Sequence, residues 1–261
     1  MTADASTTAK GSELLRLHQD PKLLTLVNVW DVISARTVAA VEGTAALATA
    51  SHSIAASFGY PDGEVIPLDL MLEQIKRIVD STDLPVTADL EAGYGNAAET
   101  VRRAIGLGVV GANIEDELKP IPEAARQVEA IMRVAEEEGV DFVLNARTDA
   151  FHLNRHGDPA SNLAVAIERG KAYLDAGAPV VFVPAILNEE QILECVDAFG
   201  PLRLTTIGIP GLPSLEWQEA HGVARTSYGP LSQNVALTAL QELVEDVHRG
   251  GGVPSNLRIL N

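Results

Sequence analysis

The ten residues TADLEAGYGN, at positions 87–96, continue an apolar run, carry two carboxylates and end in a glycine-rich turn. Asp89 and Glu91 are separated by one residue, and in the two-residue period of a β-strand both side chains share one face. Two carboxylates held together raise each other's pKa unless a cation lies between them. This stretch therefore predicts a buried strand that ends in an acidic site.

Seven further apolar runs alternate with amphipathic stretches, a pattern typical of buried parallel strands joined by helices. The eight runs are LTLVNVW (24–30), AALATA (45–50), PVTADL (85–90), GANIED (111–116), DFVLNAR (141–147), VVFVPA (180–185), LRLTTIG (202–208) and VARTSYG (223–229). Eight such units in about 250 residues predict an α/β protein with a (β/α)8 TIM-type barrel. A doubly wound sheet is the alternative, but polar residues end nearly every run, and only a closed barrel gathers all those ends at one mouth.

The amino-acid composition argues against several classes of binding partner. The net charge of −17 argues against nucleic acid and anionic membranes as partners, because both are bound mainly through Lys and Arg. The single cysteine, Cys195, forms no internal disulfide and fits a cytoplasmic protein, and no segment is typical of export. Residues 1–10 are predicted to be a disordered lead-in, and 11–261 a single barrel domain with a C-terminal helix.

A second acidic pair, Glu115 and Asp116, ends the next predicted strand. If the two strands are neighbours, one of these acids reaches Asp89 and Glu91. Ligation by oxygen alone favours Mg²⁺ or Mn²⁺ over zinc. The alternative is that the acids cap helices or pair with surface bases. Arg147, at the end of the fifth run, is suited to bind a substrate carboxylate, or else to neutralise a neighbouring acid.

The order of five segments resembles the isocitrate lyase and phosphoenolpyruvate mutase superfamily, from about residue 13 to residue 248. These segments are NVWDVISAR, ATASHSIAASFGYPDGE, TADLEAGYGN, NIEDE and NARTDAF. The resemblance implies a Mg²⁺-dependent enzyme that acts on a small 2-oxo or 2-hydroxy carboxylate through an enolate or oxyanion. It also implies a homo-oligomer, a dimer or a tetramer, in which the last helix swaps between barrels. Residues 230–248 are the candidate for that helix.

By position, the resemblance assigns roles to individual residues. Asp89 matches a direct metal ligand, while Glu91 and Glu115 match acids that hold the metal through water. The remaining matches are the segment that binds the substrate carboxylate (Thr49, Ala50 and Ser51), an acid beside the metal (Asp62) and an arginine that contacts substrate (Arg147).

The sequence also departs from the superfamily's pattern. Its carbon-carbon lyases carry a KKCGH or KRCGH loop after strand four, whereas this chain has EDELKPIPEAARQ, without cysteine. Cys195 lies on a predicted helix and is interpreted as a buried small hydrophobe. Ala185 and Thr206 stand where the tricarboxylate lyases have glutamate and asparagine, so a smaller substrate is expected, with Thr206 among the residues that bind it.

The group that moves protons is left open. His52 has a suitable ordinary pKa and follows the carboxylate-binding segment, Lys119 is the only base of the shortened loop, and Tyr60 and Tyr94 are further candidates. We expect a lyase or decarboxylase that cleaves a carbon-carbon bond. The alternatives are phosphorus-carbon chemistry, as in phosphonopyruvate hydrolysis or phosphoenolpyruvate mutation, and a non-catalytic barrel that binds a metabolite.

Overall fold

The computed structural model describes residues 3–260 and consists of parallel strands that alternate with helices. The strands are β1 (Leu24–Leu26), β2 (Asn28–Val29), β3 (Leu47–Thr49), β4 (Val86–Asp89), β5 (Gly111–Glu115), β6 (Val143–Arg147), β7 (Val180–Phe182), β8 (Leu204–Ile207) and β9 (Val223–Ser227). The helices are α1 (Ala5–Gln19), α2 (Val32–Ala39), α3 (Ser51–Ser57), α4 (Leu68–Val79), α5 (Ala97–Ile105), α6 (Ile121–Glu138), α7 (Pro159–Asp175), α8 (Glu189–Phe199), α9 (Leu215–Ala220) and α10 (Leu231–His248).

The strand order confirms the (β/α)8 barrel. The sheet runs β1-β9-β8-β7-β6-β5-β4-β3-β2, and every neighbouring pair is parallel. The first predicted strand is split at Val27: β1 pairs with β9, and β2 pairs with β3. The two halves of this one run therefore join the two ends of the sheet, and the open-sheet alternative is wrong.

The N-terminal segment differs from the prediction. Residues 5–10 belong to α1, whose N-cap Asp4 accepts a hydrogen bond from the Thr7 amide at 2.7 Å, so the expected disorder is wrong for them; residues 1 and 2 lie outside the described residues. The small residues permit close packing, since a Cβ on Gly11 would lie 2.8 Å from Val140 Cγ1. Leu14, one turn further, is fully buried.

Two other features bear on the sequence predictions. Cys195 is fully buried in α8, as expected, and packs in the cluster between β7–β9 and their helices. None of the helices within residues 3–260 has the length and apolar character needed to cross a membrane.

His18, near the end of α1, is a buried histidine held in its neutral form. Its Nδ1 donates to the Leu14 carbonyl oxygen at 2.8 Å, and its Nε2 finds no partner in the described part of the chain. Burial, together with the positive charge of Arg225, lowers the pKa of His18 from 6.5 to about 3. The folded protein therefore resists protonation that the unfolded chain accepts.

We expect this histidine to destabilise the protein in acid. As the pH falls below about 6.5, the unfolded chain binds a proton that folded His18 does not, which costs about 1.4 kcal/mol per pH unit. Between about pH 6.5 and pH 5 the loss is about 2 kcal/mol. Urea unfolding of the parent and of His18→Leu at both pH values measures it. An equal loss in the two proteins would contradict the assignment.

Candidate active site

Asp89 is the last residue of β4 and contacts the segment that follows β3. Its Oδ2 accepts hydrogen bonds from the Ser51 amide at 3.0 Å and the Ser51 hydroxyl at 2.7 Å. Its own amide donates to Thr49 Oγ1 at 3.0 Å. Ala50 lies between these residues and is buried. The structure thus brings the predicted carboxylate-binding segment against the predicted metal ligand.

Glu91 lies just beyond β4 in a left-handed turn, with φ of 54°. The Tyr94 hydroxyl donates to its Oε1 at 2.9 Å, and the Glu64 amide donates to its Oε2. Glu64 in turn accepts from the Tyr94 amide at 2.6 Å. Burial raises the pKa of Glu91, and the charges of Asp89 and Asp62 add to this rise. The loop of residues 60–64 is therefore tied to the acidic turn through Glu91.

The same turn requires glycine at position 93. Its φ is 97°, and a Cβ there would lie 2.5 Å from Ala97 Cα at the start of α5. An added side chain would therefore collide with backbone as well as strain the turn. The glycines of the TADLEAGYGN stretch allow α5 to begin directly behind the acids.

Glu115 and Arg147 end the neighbouring strands β5 and β6 and are paired in register. Arg147 Nη1 lies 2.6 Å from Glu115 Oε2. Burial raises the pKa of Glu115 to about 8; Arg147 opposes this rise, while Asp149, Asp89 and Glu91 add to it. Glu115 therefore lies within the electrostatic reach of both predicted metal-site acids. This ion pair matches the alternative stated from the sequence, in which Arg147 neutralises a neighbouring acid.

Asp116, the other acid of the pair, faces away from the barrel axis. Its Oδ2 accepts from Arg169 Nε at 2.6 Å and from the Tyr173 hydroxyl, both on α7. Successive side chains of a strand point to opposite faces, so Glu115 alone of the pair reaches the mouth. Asp149, which sequence reasoning did not select, contacts Arg147 through Oδ1 at 2.8 Å. Asp149 directly follows the NART segment, and this position next to Arg147 and Thr148 in the sequence could have identified it as a site residue.

The other predicted residues are exposed or half-buried. Asp62 and His52 are exposed, and Tyr60 is half-buried. Lys119 forms an ion pair with Glu117 at 2.7 Å. The catalytic roles of Asp62, His52 and Lys119 remain predictions.

Thr206 does not lie where the sequence analysis predicted. Its Oγ1 donates to Gln218 Oε1 of α9 at 2.8 Å, on the outer side of the barrel. The strand period places Thr205 on the inner side instead, where its hydroxyl donates to Asn145 Oδ1 at 2.6 Å. Thr206 therefore does not face the acids, and its predicted contact with substrate is wrong.

Arg225 is a buried cation that sequence reasoning missed. Strand β9 carries one extra residue, Ala224, relative to β8, so that Val223 and Arg225 pair with consecutive residues of β8. This bulge turns Arg225 into the barrel, where it is fully buried and its Nη2 lies 3.5 Å from Asn113 Oδ1. Its Nε and Nη1 have no partner among residues 3–260. A strict two-residue period would have put Arg225 on the outer face with Val223.

The acids at the mouth of the barrel offer only oxygen ligands to a divalent cation. Across residues 3–260, no three His, Cys, Asp or Glu side chains are arranged to hold a metal ion together. Both oxygens of Glu91 are taken up by hydrogen bonds, whereas Asp89 Oδ1 receives none from the described chain. A set with one direct ligand and acids that act through water suits Mg²⁺, which retains several waters. The acids are compatible with Mg²⁺ in that form, in which Asp89 would be the direct ligand.

The fold and the position of these groups define the class of the protein. Acids and an arginine at the carboxyl ends of barrel strands occupy the face where TIM-barrel enzymes have their active sites. The family model described as phosphoenolpyruvate phosphomutase matches residues 14–248, and the chain belongs to this family. Membership of the phosphoenolpyruvate mutase and isocitrate lyase superfamily, predicted from five sequence segments, is confirmed.

Relatives with different reactions resemble the chain. It is 33% identical over 222 residues to 2-methylisocitrate lyase of Escherichia coli (strain K12), covering 78% of this chain and 72% of that protein. It is 31% identical to oxaloacetate decarboxylase of Paraburkholderia xenovorans (strain LB400), covering 87% and 78%. The structure of oxaloacetate acetylhydrolase with 3,3-difluorooxalacetate aligns with a TM-score of 0.83 at 26% identity, covering 96% and 91%. These relatives support an enzymatic function.

Proposed function

We propose that this protein is a Mg²⁺-dependent lyase or decarboxylase that cleaves a carbon-carbon bond of a small 2-oxo or 2-hydroxy carboxylate. The observation that carries the proposal is the contact of Asp89 with Ser51, which joins a metal-ligand candidate to a carboxylate-binding segment. The decarboxylase and lyase relatives support this reaction class. The cytoplasm, suggested by the lone cysteine, is the proposed compartment.

In this proposal the chain's own residues orient the substrate. Asp89, with Glu91 and Glu115 acting through water, would hold Mg²⁺, which supplies Lewis-acid stabilisation of negative charge on the substrate's 2-oxygen. Arg147 donates its Nε–H to Asp149, and its Nη1 and Nη2 form ion pairs with Glu115 and Asp149 at 2.6 and 2.7 Å. Each terminal nitrogen carries two N–H groups, so these contacts leave donors for the substrate carboxylate. Arg147 thereby also stabilises charge that develops during bond cleavage.

His52 is our first candidate for the group that moves a proton, because it follows Ser51 directly and its side chain is exposed rather than engaged in the core. His52→Gln should lower kcat by about 10²- to 10⁴-fold, the usual contribution of a general acid or base, with little change in ligand affinity. Steady-state kinetics measures both values, with His156→Gln as an exposed control. An unchanged kcat would remove His52 and leave Lys119, Tyr60 and Tyr94 as the candidates.

Phosphorus-carbon chemistry is the second candidate, and the phosphoenolpyruvate phosphomutase family model favours it. A transferring phosphoryl group needs several cations around it. In this chain, Lys119 is paired with Glu117, and Arg147 with Glu115 and Asp149. The scarcity of available cations among these groups makes carbon-carbon cleavage the first choice.

One experiment separates the candidates. The purified protein is incubated with and without Mg²⁺ against oxaloacetate, methylisocitrate, isocitrate, phosphonopyruvate and phosphoenolpyruvate, and followed by ¹H and ³¹P NMR. Mg²⁺-dependent pyruvate or succinate without a phosphorus change is the expected result. A new phosphorus resonance would favour the second candidate. No turnover, with binding of the same compounds, would contradict both and favour a metabolite-binding barrel.

We also propose that the protein is a homo-oligomer assembled through α10. Beyond Gln233, every residue of this helix except Leu243 is exposed. A stripe of Leu237, Leu240, Val244 and Val247 repeats at intervals of three and four residues, and each side chain is at least 45% exposed. Helical stripes of this kind are buried against a partner. The exchange of this helix between barrels is part of the same proposal.

A further inference from the structure

Two residues of α7, outside the barrel, contact an acid that connects to the candidate site. Arg169 and Tyr173 lie one turn apart and are 5% and 1% exposed. Arg169 Nε lies 2.6 Å from Asp116 Oδ2, and the Tyr173 hydroxyl donates to the same oxygen at 2.5 Å. Arg169 Nη2 also donates to the Lys119 carbonyl oxygen at 2.5 Å. One buried anchor thus holds Asp116 and the loop after β5.

The other oxygen of Asp116 leads from this anchor to Arg147. Asp116 Oδ1 accepts from the Asp149 amide at 3.0 Å and from the Leu118 amide at 3.0 Å. Asp149 Oδ1 then lies 2.8 Å from Arg147 Nε and 2.7 Å from its Nη2. The position of the Asp149 backbone, set by Asp116, therefore determines where the carboxylate that orients Arg147 lies.

The loop geometry shows that this anchor holds a conformation the chain would not adopt alone. Glu117 and Leu118 have φ of 47° and 53°, in the left-handed region. Their amides donate to Asp149 Oδ2 at 3.1 Å and Asp116 Oδ1 at 3.0 Å, respectively. Two consecutive left-handed residues without glycine persist only when surrounding contacts impose them. Asp116 and Asp149 impose them here.

We propose that Arg169 and Tyr173 are positioning residues for Arg147, acting through Asp116 and Asp149. The role of Arg147 at the substrate carboxylate rests on the proposed function. The chain of contacts from Tyr173 and Arg169 through Asp116 and Asp149 to the Arg147 guanidinium does not. Side chains with several rotamers bind a ligand weakly unless they are held in the bound geometry beforehand. The anchor on α7 supplies that preorganisation from outside the barrel.

The test uses Tyr173→Phe, which keeps the ring and removes the hydroxyl that donates to Asp116 and accepts from Arg169 Nε. Calorimetry measures the affinity for Mg²⁺ alone and for sodium oxalate with Mg²⁺ in the full-length protein. We expect oxalate affinity to fall about tenfold, roughly one charge-assisted hydrogen bond, with Mg²⁺ affinity unchanged. In an Arg147→Gln background, Tyr173→Phe should have no further effect on oxalate affinity, because Tyr173 acts on oxalate only through Arg147.

The stability control is Arg102→Gln, which breaks a remote arginine–carboxylate cluster with Glu137 and Glu138.

Two results would overturn the proposal. The first is an equal loss of oxalate affinity with and without Arg147, since this would mean that Tyr173 acts by another route. The second is a crystal structure of ligand-free Tyr173→Phe in which the Arg147 guanidinium keeps its place and order. If the parent itself does not bind oxalate with Mg²⁺, the proposed function fails, and the crystal structures alone decide whether Arg169 and Tyr173 position Arg147.

Discussion

Replacement of Asp89 by asparagine is expected to abolish measurable turnover, with a loss of at least about 10³-fold in kcat. The amide has nearly the shape of the carboxylate and still accepts a hydrogen bond from Ser51, but it lacks the charge that a direct Mg²⁺ ligand needs. Mg²⁺ affinity, measured by calorimetry, should fall with activity. The melting temperature should stay close to that of the parent.

The matched control is Asp141→Asn. Asp141 precedes β6 at the opposite end of the barrel and contacts Ser12 at 2.7 Å. This substitution removes the same charge without touching the mouth, so its kcat and Mg²⁺ affinity should be those of the parent. If Asp89→Asn retained turnover and Mg²⁺ binding, the metal assignment would be wrong, whatever the reaction.

The double substitution Leu240→Asp with Val244→Asp is expected to convert the assembled protein to 27.7 kDa monomers. These side chains are 57% and 45% exposed in the single chain. Two charges in an apolar contact stay unpaired when buried, which costs several kcal/mol. Sedimentation velocity measures the mass of the parent and the variant across a range of concentrations.

The control for this experiment is Gln241→Asp with Glu245→Asp, which introduces the same residue type one position further along the helix. Helix propensity changes by a similar amount, but no apolar side chain is lost, so the assembly should persist. A monomeric parent, or a double variant of parental mass, would contradict assembly through α10.

The barrel itself was predictable because its signal is local. Seven of the eight apolar runs each contain one strand and the first contains two, and polar residues end nearly every run. Parallel strands buried on both faces have this apolar composition whatever their neighbours. The prediction failed where a contact outside the segment decides the structure. The small polar residues 5–10 look disordered by composition, but they form a helix because Gly11 permits close packing against Val140.

The site was predictable in part for the same reason. The sequence shows the two-residue spacing of Asp89 and Glu91 and the NART segment. It also shows that Glu115 ends a strand, whatever the register of that strand with its neighbours. The sequence does not show the β-bulge at Ala224, which turns Arg225 inward, or the outward orientation of Thr206. A one-residue change of register reverses the face of every following side chain, and only the pairing of two strands reveals it.

The sequence by itself determined the barrel, the family and the set of acids at the mouth, because these depend on residue types at fixed short spacings. Only the tertiary structure decided which acid serves which purpose. Asp116 and Glu115 are adjacent in the chain, but one pairs with Arg169 of α7 and the other with Arg147 of β6. The physical reason is that a carboxylate's charge state and orientation depend on partners far away in sequence, which the packing of helix against strand brings within hydrogen-bonding distance.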